Sequence, residues 1–251
     1  MTRARLSVVV VTLNEEERIR QCLESVVWAD ETIVVDAESQ DKTALIAREL
    51  ADRVFVRPWP GFAAQKNFAI AQATGEWILS LDADETVSVP LRAEIEAVVR
   101  GAGDAAGYTV PRRNVFWGRW VRHGGLYPDR QLRLFRRGRG AFVERPVHES
   151  VTVDGPVGRL TGHLEHRSYR DVADFLARAD RYASLGADDW LAAGRPVRPL
   201  LDLVARPIGR FLGMYVARAG FLDGWRGFLL ATLYAYYVFM RSTKVWERAR
   251  R

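Results

Sequence analysis

The chain has 251 residues, of which 48% are apolar, enough for one large domain or a domain with an appendage. It contains a single cysteine, which excludes an internal disulfide framework and suits a reducing compartment. Residues 195–251 hold 11 basic and 3 acidic residues, whereas residues 1–194 hold 26 basic and 28 acidic residues. A nearly neutral body with a basic C-terminal segment indicates an anionic surface as a partner.

Apolar strands and helices alternate over the first 82 residues. The residue pattern predicts strands over 6–13, 32–35, 54–56 and 77–81, and helices over 43–50 and 62–73. A further helix follows the first strand, with Asn14 expected at its N-cap, Glu15–Glu17 in its first turn and Cys22 on its core side. Four strand–helix alternations favour right-handed βαβ units and therefore a parallel sheet.

Carboxylates come directly after the fourth predicted strand. Trp77–Leu81 is short and mostly apolar, as in the buried central strand of a parallel sheet, and Asp82, Asp84 and Glu85 follow it. Ligands of open α/β sheets bind beyond the carboxyl ends of the strands, and Mg²⁺ combines one or two protein carboxylates with phosphate oxygens and water. An Asp-rich surface turn is the alternative, but Asp36 ends the second strand at the same edge and favours a binding site.

Lys66 is one of three lysines in the chain and lies on the first turn of the helix predicted over 62–73. A cation at a helix N-terminus suits a phosphate group, because the helix dipole and the free amides there favour an anion. A solvent-facing position, the usual fate of a lysine, explains the residue equally well.

Four short motifs occur in an order that is typical of one enzyme family. They are Ser7–Glu16 (SVVVVTLNEE), Val34–Thr43 (VVDAESQDKT), Gln65–Asn67 (QKN) and Leu81–Glu85 (LDADE). In order and spacing they resemble the inverting family 2 glycosyltransferases of the GT-A fold over residues 6–150. Within that family, Gly124–Arg137 and Pro146–Glu149 are similar to the β-1,4-glucosyltransferase branch that adds glucose to heptose in the lipopolysaccharide inner core.

The resemblance implies an α/β, Rossmann-like and mostly parallel sheet flanked by helices, with a C-terminal helical region. It implies that Thr12, Asn14 and Glu15 line the nucleotide and that Asp36 accepts a hydrogen bond from the uracil ring. The alternative for Asn14 and Asp36 is a purely structural role in helix capping and turn formation. Asp84 is expected to bind Mg²⁺ or Mn²⁺.

An inverting displacement needs one general base, besides charge neutralisation of the leaving diphosphate. The resemblance favours Glu149 as this base and makes Asp129 an acceptor-site or structural acid. An ion pair with a nearby arginine is the alternative for Glu149. The remaining expected site residues are Asp82, facing the ribose or the metal, and Tyr127, Arg133 and His148, facing the acceptor.

Nine arginines and a single acidic residue, Asp129, occupy residues 112–139. A phosphorylated or carboxylated acceptor would explain this charge through bidentate guanidinium contacts. Phe116, Trp117 and Trp120 lie among the arginines and suit stacking on sugar rings. Nucleic acid is the rival partner for a basic and aromatic block, but no nucleic-acid-binding motif accompanies it, so no nucleic-acid partner is expected.

The pattern becomes helical after residue 165, which predicts a catalytic domain over 1–165 and a helical region over 166–251. An apolar stripe runs from Val204 to Ala219, and 14 uncharged residues occupy 227–240. The uncharged stretch is shorter than the roughly 20 residues that a membrane span needs. Packing as core is one interpretation, and the basic charge favours the other, the surface of an anionic membrane.

Together these features predict an inverting, metal-dependent hexosyltransferase. It would move a sugar, expected to be glucose, from a UDP-sugar to a lipid-linked anionic saccharide, expected to be lipopolysaccharide core heptose. We expect it in the cytoplasm, peripheral on the inner face of the cytoplasmic membrane.

Two other functions are less consistent with the sequence. A nucleotidyltransferase that makes nucleotide sugars would carry a glycine-rich basic loop after the first strand, where Asn14–Glu17 stand here. A non-catalytic membrane-binding module would not need Asp36, Asp82 and Asp84 at strand ends.

Overall fold

A computed structural model describes residues 4–143 and 150–250, without the side chain of Ala102. The chain divides into two compact units. The first consists of Met1–Arg112 with Asp129–His166, and the second consists of Arg113–Pro128 with Arg167–Arg251. The domain boundary predicted between residues 165 and 166 stays a prediction.

Four parallel strands form one half of the main sheet in the first unit. They are β1 (Leu6–Thr12), β2 (Glu31–Asp36), β3 (Arg53–Val56) and β4 (Trp77–Asp82). They pair in the order β3-β2-β1-β4, with every pair parallel. The four predicted strands are confirmed.

The other half of the sheet is mainly antiparallel and continues in the order β4-β8-β6-β12-β5. The later strands are β5 (Glu85–Val87), β6 (Gly107–Phe116), β7 (Arg119–Trp120), β8 (Asp129–Arg136), β9 (Gly140–Val143), β10 (Ser150–Val153), β11 (Val157–Arg159) and β12 (Leu164–His166). β8 pairs with β4, and β12 pairs with β5 so that His166 lies opposite Glu85. These pairings bring residues that are distant in sequence to the carboxyl end of β4.

Apolar side chains cover both faces of the parallel strands. Val8 and Val10 belong to one core cluster and Val9 and Val11 to another, because successive residues of a strand point to opposite faces. The surrounding helices are α1 (Ile19–Glu24), α2 (Thr43–Leu50), α3 (Phe62–Gln72) and α4 (Val89–Ala97). The predicted core position of Cys22 is confirmed. Burial, and then the negative charge of the neighbouring acids, raise the pKa of its thiol.

The predicted helix cap at Asn14 is wrong. α1 begins at Ile19 with Arg18 at its N-cap, and its first turn contains no acidic residue. Asn14 has a φ of 54°, in the left-handed region that asparagine tolerates better than most residues. Its amide N–H donates to Ser39 Oγ and its side-chain oxygen accepts from the Gln40 N–H, both at 2.8 Å. The residue therefore joins the loops after β1 and β2.

The second unit is mainly helical. It contains α5 (Val172–Ala192), α6 (Arg206–Leu212) and α7 (Gly224–Arg248), with π-helical turns at Leu201–Ala205 and Gly213–Ala217 and a 3₁₀ turn at Gly220–Asp223. The helices confirm that the sequence after residue 165 is mainly helical, and Asp171 caps α5 by accepting from the Asp174 N–H at 2.7 Å. Phe175 on α5 packs with Leu233 and Tyr234 on α7. Within the described residues, no helix is long and apolar enough to cross a membrane.

Candidate active site

Asp82 ends β4 between two basic side chains. One of its oxygens lies 2.7 Å from Nζ of Lys66 on α3, and the other lies 2.6 Å from Nη2 of Arg133 on β8. Burial would raise the pKa of Asp82, but the charges of Arg133 and Lys66 hold it well below its usual value. The solvent-facing interpretation of Lys66 is wrong, because the residue is only 2% exposed.

Arg133 connects Asp82 to a second, fully buried carboxylate. Its Nη2 also donates to Oε1 of Glu85 at 2.7 Å, and Glu85 accepts from the backbone N–H of Asp82 at 3.1 Å. Arg112 on β6 approaches Glu85 to 3.3 Å and donates through Nε to Asp129 at 2.8 Å. Buried charges are tolerated only when they are paired, so this network fixes the end of β4.

Asp84 has two basic neighbours of its own. Its Oδ2 lies 3.4 Å from Nε2 of His166 and 3.8 Å from Nη1 of Arg18. Burial would raise the pKa of Asp84, but His166 and then Arg18 keep it below its ordinary value. Within residues 4–143 and 150–250, the ion pairs of Asp84 all involve Oδ2.

The ends of β1 and β2 meet in register at Thr12 and Asp36. Asp36 is fully buried and accepts from the N–H of Ser39 at 2.9 Å and from its hydroxyl. Oγ1 of Thr12 is buried without a hydrogen-bond partner in the part of the chain that the structure describes. The N–H of Glu15 donates to Oγ1 of Thr43 at 2.7 Å, which fixes the loop after β1. Thr12 and Asp36 therefore lie side by side at the carboxyl ends of β1 and β2, and Asn14 and Glu15 lie in the loop that follows β1. Their contact with a nucleotide stays a prediction.

The remaining predicted site residues have different positions. Tyr127 belongs to the second unit, where its ring meets Trp120 edge-on with centroids 5.1 Å apart. Arg133 is 5% exposed, and its role in binding the acceptor stays a prediction. His148 and Glu149 lie outside the described residues.

Residues 7–151 match the model of one protein family, Glycosyl transferase family 2. The match covers more than half of the chain. The chain belongs to glycosyltransferase family 2.

Two relatives in sequence cover almost the whole glycosyltransferase. The lipopolysaccharide core biosynthesis glycosyltransferase LpsC of Rhizobium meliloti is 31% identical over 97% of this chain and 92% of its own length. An uncharacterized glycosyltransferase of Rickettsia typhi is 29% identical over 97% of this chain and 87% of its own length.

Two solved structures share the fold of the glycosyltransferase. The mannosyltransferase PcManGT of Pyrobaculum calidifontis, solved in complex with GDP-Man and Mn²⁺, gives a TM-score of 0.57 at 17% identity over 98% of this chain and 88% of that one. TarS of S. aureus gives a TM-score of 0.50 at 18% identity over 98% of this chain and 91% of that one. These likenesses confirm the predicted GT-A fold.

The carboxylate oxygens at the end of β4 in the glycosyltransferase are suitable ligands for a hard divalent cation that also binds a diphosphate. No group of three or more His, Cys, Asp or Glu side chains in the described residues is placed to hold a metal ion by itself. Mg²⁺ in phosphate-transferring sites takes only one or two protein carboxylates and completes its shell with phosphate and water. Both oxygens of Asp82 are held by cations, so Asp84 is the better placed ligand.

Most arginines of the basic block in the first unit have partners within the protein. Arg112 and Arg133 pair with buried acids, and Arg137 donates to the Gly75 carbonyl at 2.9 Å. Arg130 donates to the Leu160 carbonyl at 3.0 Å, and Arg136 lies over the ring of Trp77. Much of the charge that suggested an anionic acceptor therefore has a structural use.

Sequence reasoning assigned no site role to five residues that hold the site. Glu85 is the last residue of the Leu81–Glu85 motif, and Arg18 comes one helical turn after Glu15, so both had a local signal. Ser39 had one too, in the turn after Asp36. Arg112 and His166 had none, because strand pairing alone places them.

Removing the buried arginine should destabilise the protein far more than removing an exposed one. Arg133→Met leaves Asp82 and Glu85 without their shared partner, and we expect the free energy of unfolding to fall by about 3–5 kcal/mol. Arg139→Met is the matched control, because Arg139 is 56% exposed and pairs at 3.5 Å with Asp154, which is 88% exposed. Its cost should be below about 1 kcal/mol. Urea unfolding of both variants checks this, and equal losses would contradict the buried network.

Proposed function

We propose that this family 2 glycosyltransferase moves glucose, with inversion, from UDP-glucose to heptose in a lipid-linked, anionic lipopolysaccharide core. The observation that carries the acceptor class is the 31% identity to LpsC over 92% of that protein. Glucose and heptose rest on the motifs at Gly124–Arg137 and Pro146–Glu149, which resemble the glucosyltransferase branch.

The arrangement at the carboxyl ends of β1 and β2 supports the assignment of the nucleotide site. A uracil ring presents an N–H donor, and an ionised carboxylate has about four lone-pair sites, so Asp36 can accept from uracil while it holds Ser39. Thr12 supplies a buried hydroxyl next to it, and the loop of Asn14 and Glu15 borders the same space.

Beside the carboxyl ends of β1 and β2, Asp82, Asp84 and Lys66 bind the ribose and the diphosphate. Lys66 and Arg133 hold Asp82 ionised and oriented toward the ribose, and Lys66 adds positive charge on the diphosphate side. Asp84 binds Mg²⁺ or Mn²⁺, as the Mn²⁺ in the structure of PcManGT suggests by analogy. The metal would supply Lewis-acid stabilisation of the negative charge on the leaving diphosphate.

The surroundings of Asp129 support Glu149 as the general base. Asp129 accepts from Arg112 through two nitrogens and from Gln131 at 2.8 Å. Burial would raise the pKa of Asp129, but Arg112 foremost among its partners lowers it. A carboxylate with a lowered pKa and engaged oxygens is a weak base. We therefore assign proton abstraction to Glu149, with His148 orienting it, and positioning of the acceptor to Asp129.

The proposed acceptor is anchored in lipid, so the reaction takes place at a membrane surface. The basic C-terminal residues support a peripheral position on the cytoplasmic face of the membrane. Tyr127, Arg133 and His148 are assigned to the acceptor side.

Asp84→Asn should abolish transfer and weaken metal-dependent binding of UDP. The amide keeps the shape of the side chain but removes the charge that a divalent cation requires, so turnover should fall by about 10²-fold or more. Titration calorimetry with UDP and Mn²⁺ measures binding. Asp154→Asn, at a side chain that is 88% exposed, is the matched control and should bind like the wild type. Unchanged Mn²⁺-dependent binding by Asp84→Asn would reject this ligand assignment.

Glu149→Gln should keep donor binding and lose turnover by about 10²-fold or more, because glutamine has the shape but not the basicity of glutamate. Asp129→Asn should instead raise the acceptor concentration needed and leave a measurable maximal rate. Steady-state kinetics with varied acceptor separate the two effects. The base belongs at Asp129 if that variant is inactive while Glu149→Gln turns over at saturating acceptor.

A further inference from the structure

The helical segment that contains α6 exposes an unusual row of large apolar side chains. Leu200 is 79% exposed, and the exposed residues after it follow at intervals of four. We call this row the apolar strip: Leu200, Val204, Ile208, Leu212 and Val216. The strip is therefore a continuous apolar surface and not a scatter of single residues.

The backbone explains why the strip stays on one side. A row of residues four apart drifts around a regular α-helix, because one turn holds about 3.6 residues. The π-helical turns at Leu201–Ala205 and Gly213–Ala217 are wider than α-helical turns and offset this drift. On the opposite side of the same segment, Asp202 and Met214 are buried.

A second group of exposed apolar residues follows within the next dozen positions. We call it the apolar cap: Phe221, Leu222, Trp225 and Phe228, each at least 50% exposed. Farther along α7, Leu230, Ala231 and Leu233 are buried against the rest of the second unit. This later part of α7 therefore packs as core, whereas the apolar strip and the apolar cap are exposed.

The charges beside these apolar groups are positive. Residues 195–228 contain six arginines and two aspartates. Both aspartates are turned inward: Asp202 accepts from the Arg198 N–H at 2.7 Å, and Asp223 accepts from the His123 N–H at 2.7 Å. Their side chains are 5% and 10% exposed, so the accessible charge of this surface is basic.

We propose that the apolar strip and the apolar cap form one face that docks on an anionic lipid bilayer. Exposed leucine and aromatic side chains enter the boundary between headgroups and acyl chains, and the arginines contact anionic headgroups. The proposal deepens the proposed function by giving the enzyme a defined contact with the membrane that carries its acceptor.

Charge decides between a bilayer and a second copy of the chain. Another apolar face would cover the strip equally well, but the same face of a second copy presents the same arginines, and neither aspartate of residues 195–228 is exposed to meet them. Like charges brought together at an interface oppose association, whereas anionic headgroups attract it. A lipid surface satisfies both the apolar and the basic parts.

Vesicle flotation tests the proposal without any nucleotide sugar, so its outcome does not depend on transferase activity. The full-length protein is mixed with vesicles of equal parts phosphatidylglycerol and phosphatidylcholine, and with vesicles of phosphatidylcholine alone. We expect the wild type to bind the anionic vesicles. The triple variant Leu200→Ser, Leu212→Ser, Leu222→Ser should bind them at least tenfold more weakly. High salt should weaken the wild type as well, because charge screening weakens the headgroup contacts.

The matched control is the triple variant Val27→Ser, Leu45→Ser, Val89→Ser in the first unit, whose residues are 57–81% exposed. It should bind within twofold of the wild type. Circular dichroism checks folding, and the single Leu222→Ser variant gives a second measurement if the triple variant misfolds. Three results would overturn the proposal: wild-type binding by the variant Leu200→Ser, Leu212→Ser, Leu222→Ser, equal binding of the wild type to both vesicle types, or a wild-type dimer that these three substitutions convert to a monomer.

Discussion

A buried guanidinium shared by the carboxylates of Asp82 and Glu85 holds the carboxyl end of β4 in place. Asp82, Asp84 and Glu85 lie within four residues of the chain, and three anions at such spacing repel one another unless cations lie between them. Arg133 is the central cation, with Lys66 on one side of it and Arg112 on the other. Asp82 and Asp84 can therefore stay ionised, with pKa values below the ordinary one.

The antiparallel half of the sheet supplies cations that these acids need. β4 supplies the acids, but each of the cations comes from another element, namely α3, β6 or β8. The parallel half alone would present an unstable cluster of negative charge. The strands after β4 complete the site, since β8 places Arg133 and β12 places His166 where the acids need them.

How far the sequence predicts the molecule depends on whether the cause is local. The parallel strands and the positions of Asp36 and Asp82 were predictable, because continuous apolar runs mark strands that are covered on both faces. The contact between Arg133 and Asp82 spans 51 positions and has no local signal. The prediction for Asn14 failed because the local signal was present but did not decide the structure. Asparagine is a good capping residue, but its hydrogen bonds to the loop after β2 fix a left-handed backbone at this position.

We propose that the ionised carboxyl end of β4 supports transfer from a UDP-sugar to a lipopolysaccharide core. The most direct measurement is the release of UDP by purified full-length protein from a panel of nucleotide sugars, with and without detergent-dispersed, heptose-terminated core. We expect release that depends on both the acceptor and a divalent cation, that is greatest with UDP-glucose, and that stops when the cation is chelated. Release that is insensitive to chelation and to acceptor, or transfer confined to a non-uridine donor, would contradict it.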